Sequence, residues 1–428
     1  MLLPFTLGRN ILDVTLLTKG EIYGYSLYDV KYFFPFYLSD VFLLLIYQNY
    51  FSKKIFKKQK DFTIPISFSL ASLFLSIFIC LTALNSINHE FGQLIIFSSI
   101  TLIKFLLIFL VTFLIDLKKR KSEIIQIIVA STLFQSLLII AEQIRGGNIG
   151  KFIESTLPGI EIGTGTSEAS DVLRANGTFN EPNVAAIFLL VNICIILPIS
   201  IKKIFSGKQI SNYFYVVVLL LSLLAIVFTG SRSLYFLTVI VFIYNIFRYK
   251  TEFIKIYQIF SKKNVVKIFI VTILISIFPY LINRIDTIKD VLTEKGSFSY
   301  RRDLNNYSLQ LAQNKLLGIG INMSPYYLAK NFKTVDSTLV IFDQAPAHNI
   351  FIQVFTETGI LGLTTFLLFL YFSFKGIYSS NHDINYFYIA AIVYLMAAQF
   401  HPVFTTHLEI FCLFLLYLSI ANNIQLRE

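Results

Sequence analysis

Residues 93–121 read QLIIFSSITLIKFLLIFLVTFLIDLKKRK. The stretch over 93–115 is apolar apart from Gln93, Lys104 and a few hydroxyls, and it is followed after Asp116 and Leu117 by Lys118, Lys119, Arg120 and Lys121. A run of about 20 apolar residues is what a helix needs to cross a hydrocarbon core of about 30 Å. Inside that core only a helix or a closed barrel satisfies every backbone polar group. A basic tract directly after such a run marks its cytoplasmic end.

The same pattern recurs along the chain. Apolar spans are expected at about 33–51, 62–84, 93–115, 124–142, 184–201, 213–230, 233–248, 267–283, 349–374, 385–400 and 410–422. Lys53, Lys54, Lys57, Lys58 and Lys60 follow the first of these, Lys202, Lys203 and Lys208 the fifth, and a basic segment from Arg248 to Lys267 the seventh. Alternate loops are therefore short and basic, which sets them in the cytoplasm. The expected architecture is all-α: a polytopic transmembrane bundle of about 11–12 spans, forming a single integral membrane domain over 1–428. Residues 1–31 are only mildly apolar, being interrupted by Arg9, Asp13, Lys19 and Glu21, and no basic start with a small-residue cleavage site is seen.

Composition agrees. Charged residues make up 14% of the chain and hydrophobic ones 55%, with a mean hydropathy of +0.69; soluble domains carry about 25% charge. The net charge of +11 does not signal nucleic acid, because the lysines sit in short loops between apolar blocks. Cys80, Cys194 and Cys412 all fall within apolar blocks, without the spacing of metal ligands or of a disulfide framework. No nucleotide-binding glycine loop is present, and neither a metal nor a cofactor is expected.

With the basic loops inside, two long hydrophilic loops lie outside, at 143–183 and 284–349. The larger is partly helical: Tyr300–Lys315 reads as an amphipathic helix with Leu304, Tyr307, Leu311 and Leu316 near a 3.6-residue period, broken by Gly318-Ile319-Gly320.

Four polar clusters map to this outer face. Arg174-Ala175-Asn176-Gly177-Thr178-Phe179-Asn180-Glu181-Pro182-Asn183 precedes the fifth span, with Pro182 suited to a first helical position. It reads either as a well-capped helix start or as Arg174 and helix-start amides facing an anion. Thr229-Gly230-Ser231-Arg232-Ser233 divides two spans; it reads either as an ordinary tight hairpin or, since Gly and Ser alone would turn the chain, as an arginine placed at the membrane boundary for function. Arg301 and Arg302 lie together near the start of the loop helix, and paired guanidiniums suit bidentate contact with phosphate. A solvated face, with Asp303 neutralising one of them, is the plainer reading. Finally, His348 and Asn349 stand where the large loop returns to the membrane, with Glu357 nine residues on. His348 is of the right type for general-base work near neutral pH. On a continuous helix Glu357 points away from His348, so it is expected to pair with another helix or to hold the site together.

The order of these motifs, R-x-x-G-T-F-x-x-P-N, T-G-S-R, a long outer loop with arginine and G-I-G, then H-N followed by E-x-G-I-x-G-L, resembles the bacterial O-antigen ligase and polymerase superfamily. The resemblance covers about residues 170–365. It implies a metal-independent glycosyltransferase of the bacterial inner membrane, active on the extracytoplasmic side, with an undecaprenyl-diphosphate-linked glycan as donor and a glycan as acceptor. Arg232 and one of Arg301 or Arg302 would hold the diphosphate, and His348 would assist the acceptor hydroxyl. Arg174 would be a further phosphate or glycan contact, and Asn180, Glu181, Asn183, Ser231, Asn349 and Glu357 would also take part in binding substrate. Within the superfamily, a polymerase extending lipid-linked repeat units is expected, with a ligase to lipid A–core as the alternative. Partners implied are membrane lipid and, in the same pathway, a chain-length regulator and a flippase. A flippase function for this chain itself is disfavoured, because such transporters carry polar and Gly/Pro breaks deep in several spans, whereas polarity here gathers on one face.

Overall fold

The computed structural model describes residues 8–10, 35–37, 44–49, 66–87, 92–112, 117–147, 149, 174–179, 181–205, 210–252, 297–324, 327, 346–375, 386–404 and 407–425. Among them the protein is helical, apart from a short antiparallel pair, β1 (Gly8–Asn10) with β2 (Pro35–Tyr37), in which Arg9 faces Phe36. The helices are α1 (Ile66–Leu84), α2 (Gly92–Val111), α3 (Leu117–Arg145), α4 (Pro182–Phe205), α5 (Ile210–Phe228), α6 (Arg232–Arg248), α7 (Ser297–Ala312), α8 (Ile350–Phe374), α9 (Tyr386–Ala397) and α10 (Leu408–Gln425). Residues 44–49 are also helical.

Among the described residues four stretches are long and apolar enough to cross a membrane: Ile66–Leu84, Arg120–Arg145, Pro182–Lys203 and Ile350–Phe374. Shorter apolar helices cover Ser98–Val111, Tyr213–Phe228, Tyr386–Ala397 and Glu409–Asn423. The spans expected at 33–51 and 267–283 lie largely outside the described residues, as does most of the loop at 143–183 and half of the loop at 284–349. The expected span at 124–142 is the core of a longer helix. The basic tract continues α3 backwards to Leu117, because Lys and Arg are good helix formers and leave no break before the apolar run. The loop helix starts and ends three residues earlier than the apolar spacing predicts. It stops at Ala312, and Asn314 takes a left-handed φ of 66°, so Leu316 falls beyond the helix and stays 68% exposed. The seam it buries is the expected Leu304 with Ser308 and Ala312, the last two small enough to allow close backbone approach.

Contacts divide the chain into two compact units. One comprises Ser122–Tyr300 with Ile392–Ala397. In it α4 packs along α5 and α6. Across the membrane-length window of α4, 94% of residues are buried, against 33% for α1, so α4 is sheathed by protein on all sides. The hairpin α5–α6 turns at Gly230, whose φ of 64° favours a residue without Cβ, and the Tyr235 hydroxyl donates to the Val227 carbonyl at 2.6 Å across it.

The other unit comprises Leu2–Lys121, Arg301–Ala391 and Ala398–Glu428. There α8 packs along α1, and α10 against α2 and α8. The interior is built of phenylalanine: Phe68 stacks on Phe109 at 4.5 Å, Phe105 meets Phe411 at 4.6 Å, and Phe404 meets Phe411 edge-on at 5.0 Å. Rings supply large contact areas with specific geometry, which matters where lipid removes the hydrophobic drive between helices. Buried polar groups pair across helices. Thr112 and Ser419 share a hydroxyl bond, and Asn422 Nδ2 donates to the Ser373 carbonyl at 2.9 Å.

Candidate active site

In the first unit the polar cluster before α4 is a compact loop. Arg174 bridges two neighbours. Its Nε donates to the Thr229 carbonyl at 3.0 Å and its Nη2 to Asn183 Oδ1 at 2.8 Å. The Ala175 amide donates to the Phe228 carbonyl at 3.2 Å. The loop is thus tied both to the start of α4 and to the end of α5, one turn ahead of Arg232. Pro182 opens α4 at its first position, and the exposed Glu181 offers its backbone carbonyl to the amides of Val184 and Ala185. Asn180 lies outside the described residues.

Ser231 is the extended residue before α6 (φ −88°, ψ 103°); its buried hydroxyl does not cap the helix. Arg232 is the first residue of α6 and is exposed. A guanidinium there adds to the positive end of the helix dipole, an arrangement that disfavours a helix by a few tenths of a kcal/mol and attracts an anion.

In the second unit α7, the Gly318–Gly320 segment and the start of α8 are joined. The His348 amide donates to Asn305 Oδ1 of α7 at 3.0 Å. At about 100° per residue, Arg301 lies about 40° from Asn305 around α7, toward the buried Leu304, Ser308 and Ala312. Arg302 lies about 60° to the other side; it is exposed and stands 3.7 Å from Asp303. Arg301 is half-buried.

Asn349 caps α8. Its Oδ1 accepts from the amides of Phe351 at 2.9 Å and Ile352 at 3.2 Å, while its Nδ2 donates to Gln399 Oε1 at 2.8 Å. The Ile350 amide reaches the Ala398 carbonyl at 2.9 Å. His348, half-buried, is held by its backbone on one side and by a capped helix on the other.

Helix α8 is not continuous. Gly359 takes φ 69°, ψ −171°, which frees the carbonyls just before it. The Ile319 amide donates to the Thr356 carbonyl at 2.9 Å and the Gly320 amide to the Glu357 carbonyl at 3.0 Å. The fully buried Glu357 side chain accepts from the Asn322 amide at 3.0 Å through Oε2. Thr356 adds a bond from its hydroxyl to the Ser308 carbonyl at 3.1 Å. The two glycine motifs, Gly318-Ile319-Gly320 and Gly359, are therefore two halves of one joint. Among the described residues no group of three His, Cys, Asp or Glu side chains could hold a metal ion.

Sequence reasoning missed Gln135 and Glu142 of α3, which meet the Arg174 loop, and Asn305, which meets His348. Gln135 and Glu142 did carry a signal: polar side chains within or at the end of an apolar span mark function by default. Asn305 carried none, since polar residues are ordinary on a loop helix.

Helices of this length and hydropathy, with few charged residues inside them, are those of an integral membrane protein. Residues 217–367 match the sequence model of the family described as O-antigen ligase, and the match supports the O-antigen ligase and polymerase superfamily for this chain. It takes in Arg232, Arg301, Arg302, His348, Asn349 and Glu357, and leaves out Arg174, Asn180, Glu181 and Asn183. Members of this family are glycosyltransferase-like enzymes, ligases and polymerases, which act on lipid-linked glycans. No curated protein and no solved structure matches the chain.

Proposed function

We propose that this protein is a polysaccharide polymerase of the bacterial inner membrane. It transfers a growing glycan from its undecaprenyl diphosphate to a hydroxyl of a new lipid-linked repeat unit on the extracytoplasmic side. The bond from the acceptor oxygen to the donor C1 forms as the bond from C1 to the diphosphate oxygen breaks. The acceptor proton passes to His348, and undecaprenyl diphosphate leaves with its negative charge stabilised by arginine. Preorganised guanidiniums suit this task because the charge develops on the leaving oxygen itself.

The observation that carries this reading is the bond from the His348 amide to Asn305, which fixes the candidate base to the arginine helix. It also favours Arg301 over Arg302 for the diphosphate, since Arg301 shares the face of Asn305. Arg232, which opens α6 at its positive end, is assigned to the diphosphate on its own charge and helix position. Arg174, Asn183, Asn349 and Glu357 are assigned to holding these groups, in keeping with their bonds to protein. Ser231, Glu181 and Asn180 are assigned to the border of the substrate site. Ligation of a finished glycan to lipid A–core is the second reading, favoured by the description of the matching family.

A deletion strain separates the readings on a gel of surface glycan. Loss of a polymerase leaves core bearing a single repeat unit. Bare core with polymer still on the carrier lipid would instead make the protein a ligase, and bare core without polymer a flippase. In the purified protein, His348→Ala and Arg232→Ala are each expected to abolish transfer while insertion is unchanged. Near-wild-type transfer by either variant removes that residue from the mechanism.

A further inference from the structure

Helix α3 carries two polar side chains on one stripe, Gln135 and Glu142, seven residues and so about two turns apart. Both are buried, Gln135 at 0% and Glu142 at 1% exposure. A carboxyl group and a carboxamide at such depth are costly unless fully engaged. Both meet the loop that carries Arg174. Glu142 Oε2 accepts from two successive backbone amides, Asn176 at 3.0 Å and Gly177 at 2.8 Å. Gln135 Oε1 accepts from the Thr178 amide at 3.2 Å, and Gln135 Nε2 donates to the Thr178 hydroxyl. Three consecutive amides of the loop thus end on α3.

The loop is shaped to this cradle. Gly177 has φ 62°, and a Cβ there would stand 2.5 Å from Gln135 Oε1 and 3.2 Å from the Ile139 side chain. Only glycine lets the backbone lie this close to the stripe. From the far side of the same loop, Ala175 and Arg174 bond to the carbonyls of Phe228 and Thr229. These are the residues from which the chain turns at Gly230 into Arg232. A continuous path of hydrogen bonds therefore runs from α3, through the loop, to the turn that sets the start of α6.

We infer that Gln135 and Glu142 are positioning residues for the cationic site, fixing the Arg174 loop and through it the placement of Arg232. The inference rests on the reading of Arg232 as a diphosphate contact. Neither side chain touches substrate; both act through the backbone of residues 176–178. Because both amide bonds at Glu142 converge on a single oxygen, a glutamine there keeps an acceptor in place, whereas an alanine removes it.

The test uses the full chain in nanodiscs, with undecaprenyl diphosphate as the binding probe and hydrogen exchange over residues 174–179 as the structural readout. Glu142→Ala is expected to weaken probe binding on the order of 10- to 100-fold, the scale on which a small misplacement of a binding group acts. It should also deprotect the 176–178 amides. Glu142→Gln should restore most of both. Gly177→Ala, which pushes the loop off the stripe without altering α3, should reproduce the Glu142→Ala result and covers the case in which Glu142→Ala does not fold. Arg232→Ala is the reference. If Arg232→Ala loses the probe while Glu142→Ala and Gly177→Ala bind as wild type, the positioning role is overturned and the functional reading stands. If Glu142→Gln is as impaired as Glu142→Ala, the carboxyl group itself acts and positioning is again overturned. If wild type and Arg232→Ala bind the probe equally, the functional reading fails, and this inference with it.

Discussion

Replacing Gly359 by alanine tests the joint between α8 and the segment Gly318–Gly320. In place, an alanine must hold φ 69°, ψ −171°, a region open almost only to glycine, at about 1–3 kcal/mol. Its Cβ would also run into the Leu316 carbonyl and stand 2.6 Å from the Gly318 nitrogen, both backbone atoms with nowhere to go. The alternative is for the joint to open and α8 to close its break. That forfeits three backbone bonds, Ile319 to Thr356, Gly320 to Glu357 and the long one from Leu361 to Leu316 at 3.5 Å, and the bond from Asn322 to the Glu357 carboxyl. At about 1 kcal/mol for each of these four bonds, the loss is about 4 kcal/mol, of which about 2 returns as the helix regains its own bonds. Strain with its clash on one route and net bond loss on the other both fall near 2–3 kcal/mol, or about 30- to 150-fold in the opening equilibrium. Hydrogen exchange on peptides spanning 316–324, with the protein in nanodiscs, reads this directly. Amides 319, 320 and 322 should lose protection by that factor, and glycan transfer should fall with them. Leu367→Ala, at an exposed position on the same helix, serves as control. Wild-type protection in Gly359→Ala would refute the two-part joint.

Further outcomes follow from the same geometry. Arg301→Ala should lower binding of the diphosphate donor by at least about tenfold, the scale of a lost charge-assisted bond, whereas Arg302→Ala should stay within about twofold, since an exposed pair such as Arg302 with Asp303 contributes under about 1 kcal/mol. Equal losses in donor-binding isotherms would void the distinction between them. Excess EDTA should leave transfer by the purified protein unchanged, because arginines carry the charge of the leaving group in the proposed reaction; restoration by added divalent cation after a loss would count against it. Ser419→Ala removes the hydroxyl that joins Thr112 to α10 within the phenylalanine core. It should lower stability by only about 0.6 kcal/mol, as is typical of such bonds between membrane helices, measurable as a small fall in thermal midpoint.

Much of this protein can be read without coordinates, and the reason is that lipid simplifies the problem. A bilayer demands about 20 apolar residues per crossing and leaves its basic flanks in the cytoplasm. Both are short-range properties of the chain. The run over 93–115 accordingly announces α2, and Gly230 with Arg232 announces the turn between α5 and α6. The four polar clusters, and the superfamily that they resemble, are legible for the same reason: each is a local string against an apolar background.

What only the tertiary structure decided concerns partners far apart in the chain. Glu142 closes an apolar run and looks like a span boundary, yet its partners lie 34 and 35 residues on. Gly359 looks like an ordinary weak point in a helix until Gly318–Gly320 is seen bonded into the opening. Arg301 and Arg302 are equivalent as sequence; the phase of α7, set by which of its residues pack, turns one toward the face of Asn305 and leaves the other in solvent. Hydropathy fixes which segments enter the membrane, because that depends on each segment and the lipid alone. Which polar groups meet depends on the helix ends and backbone breaks that bring distant amides to buried acceptors.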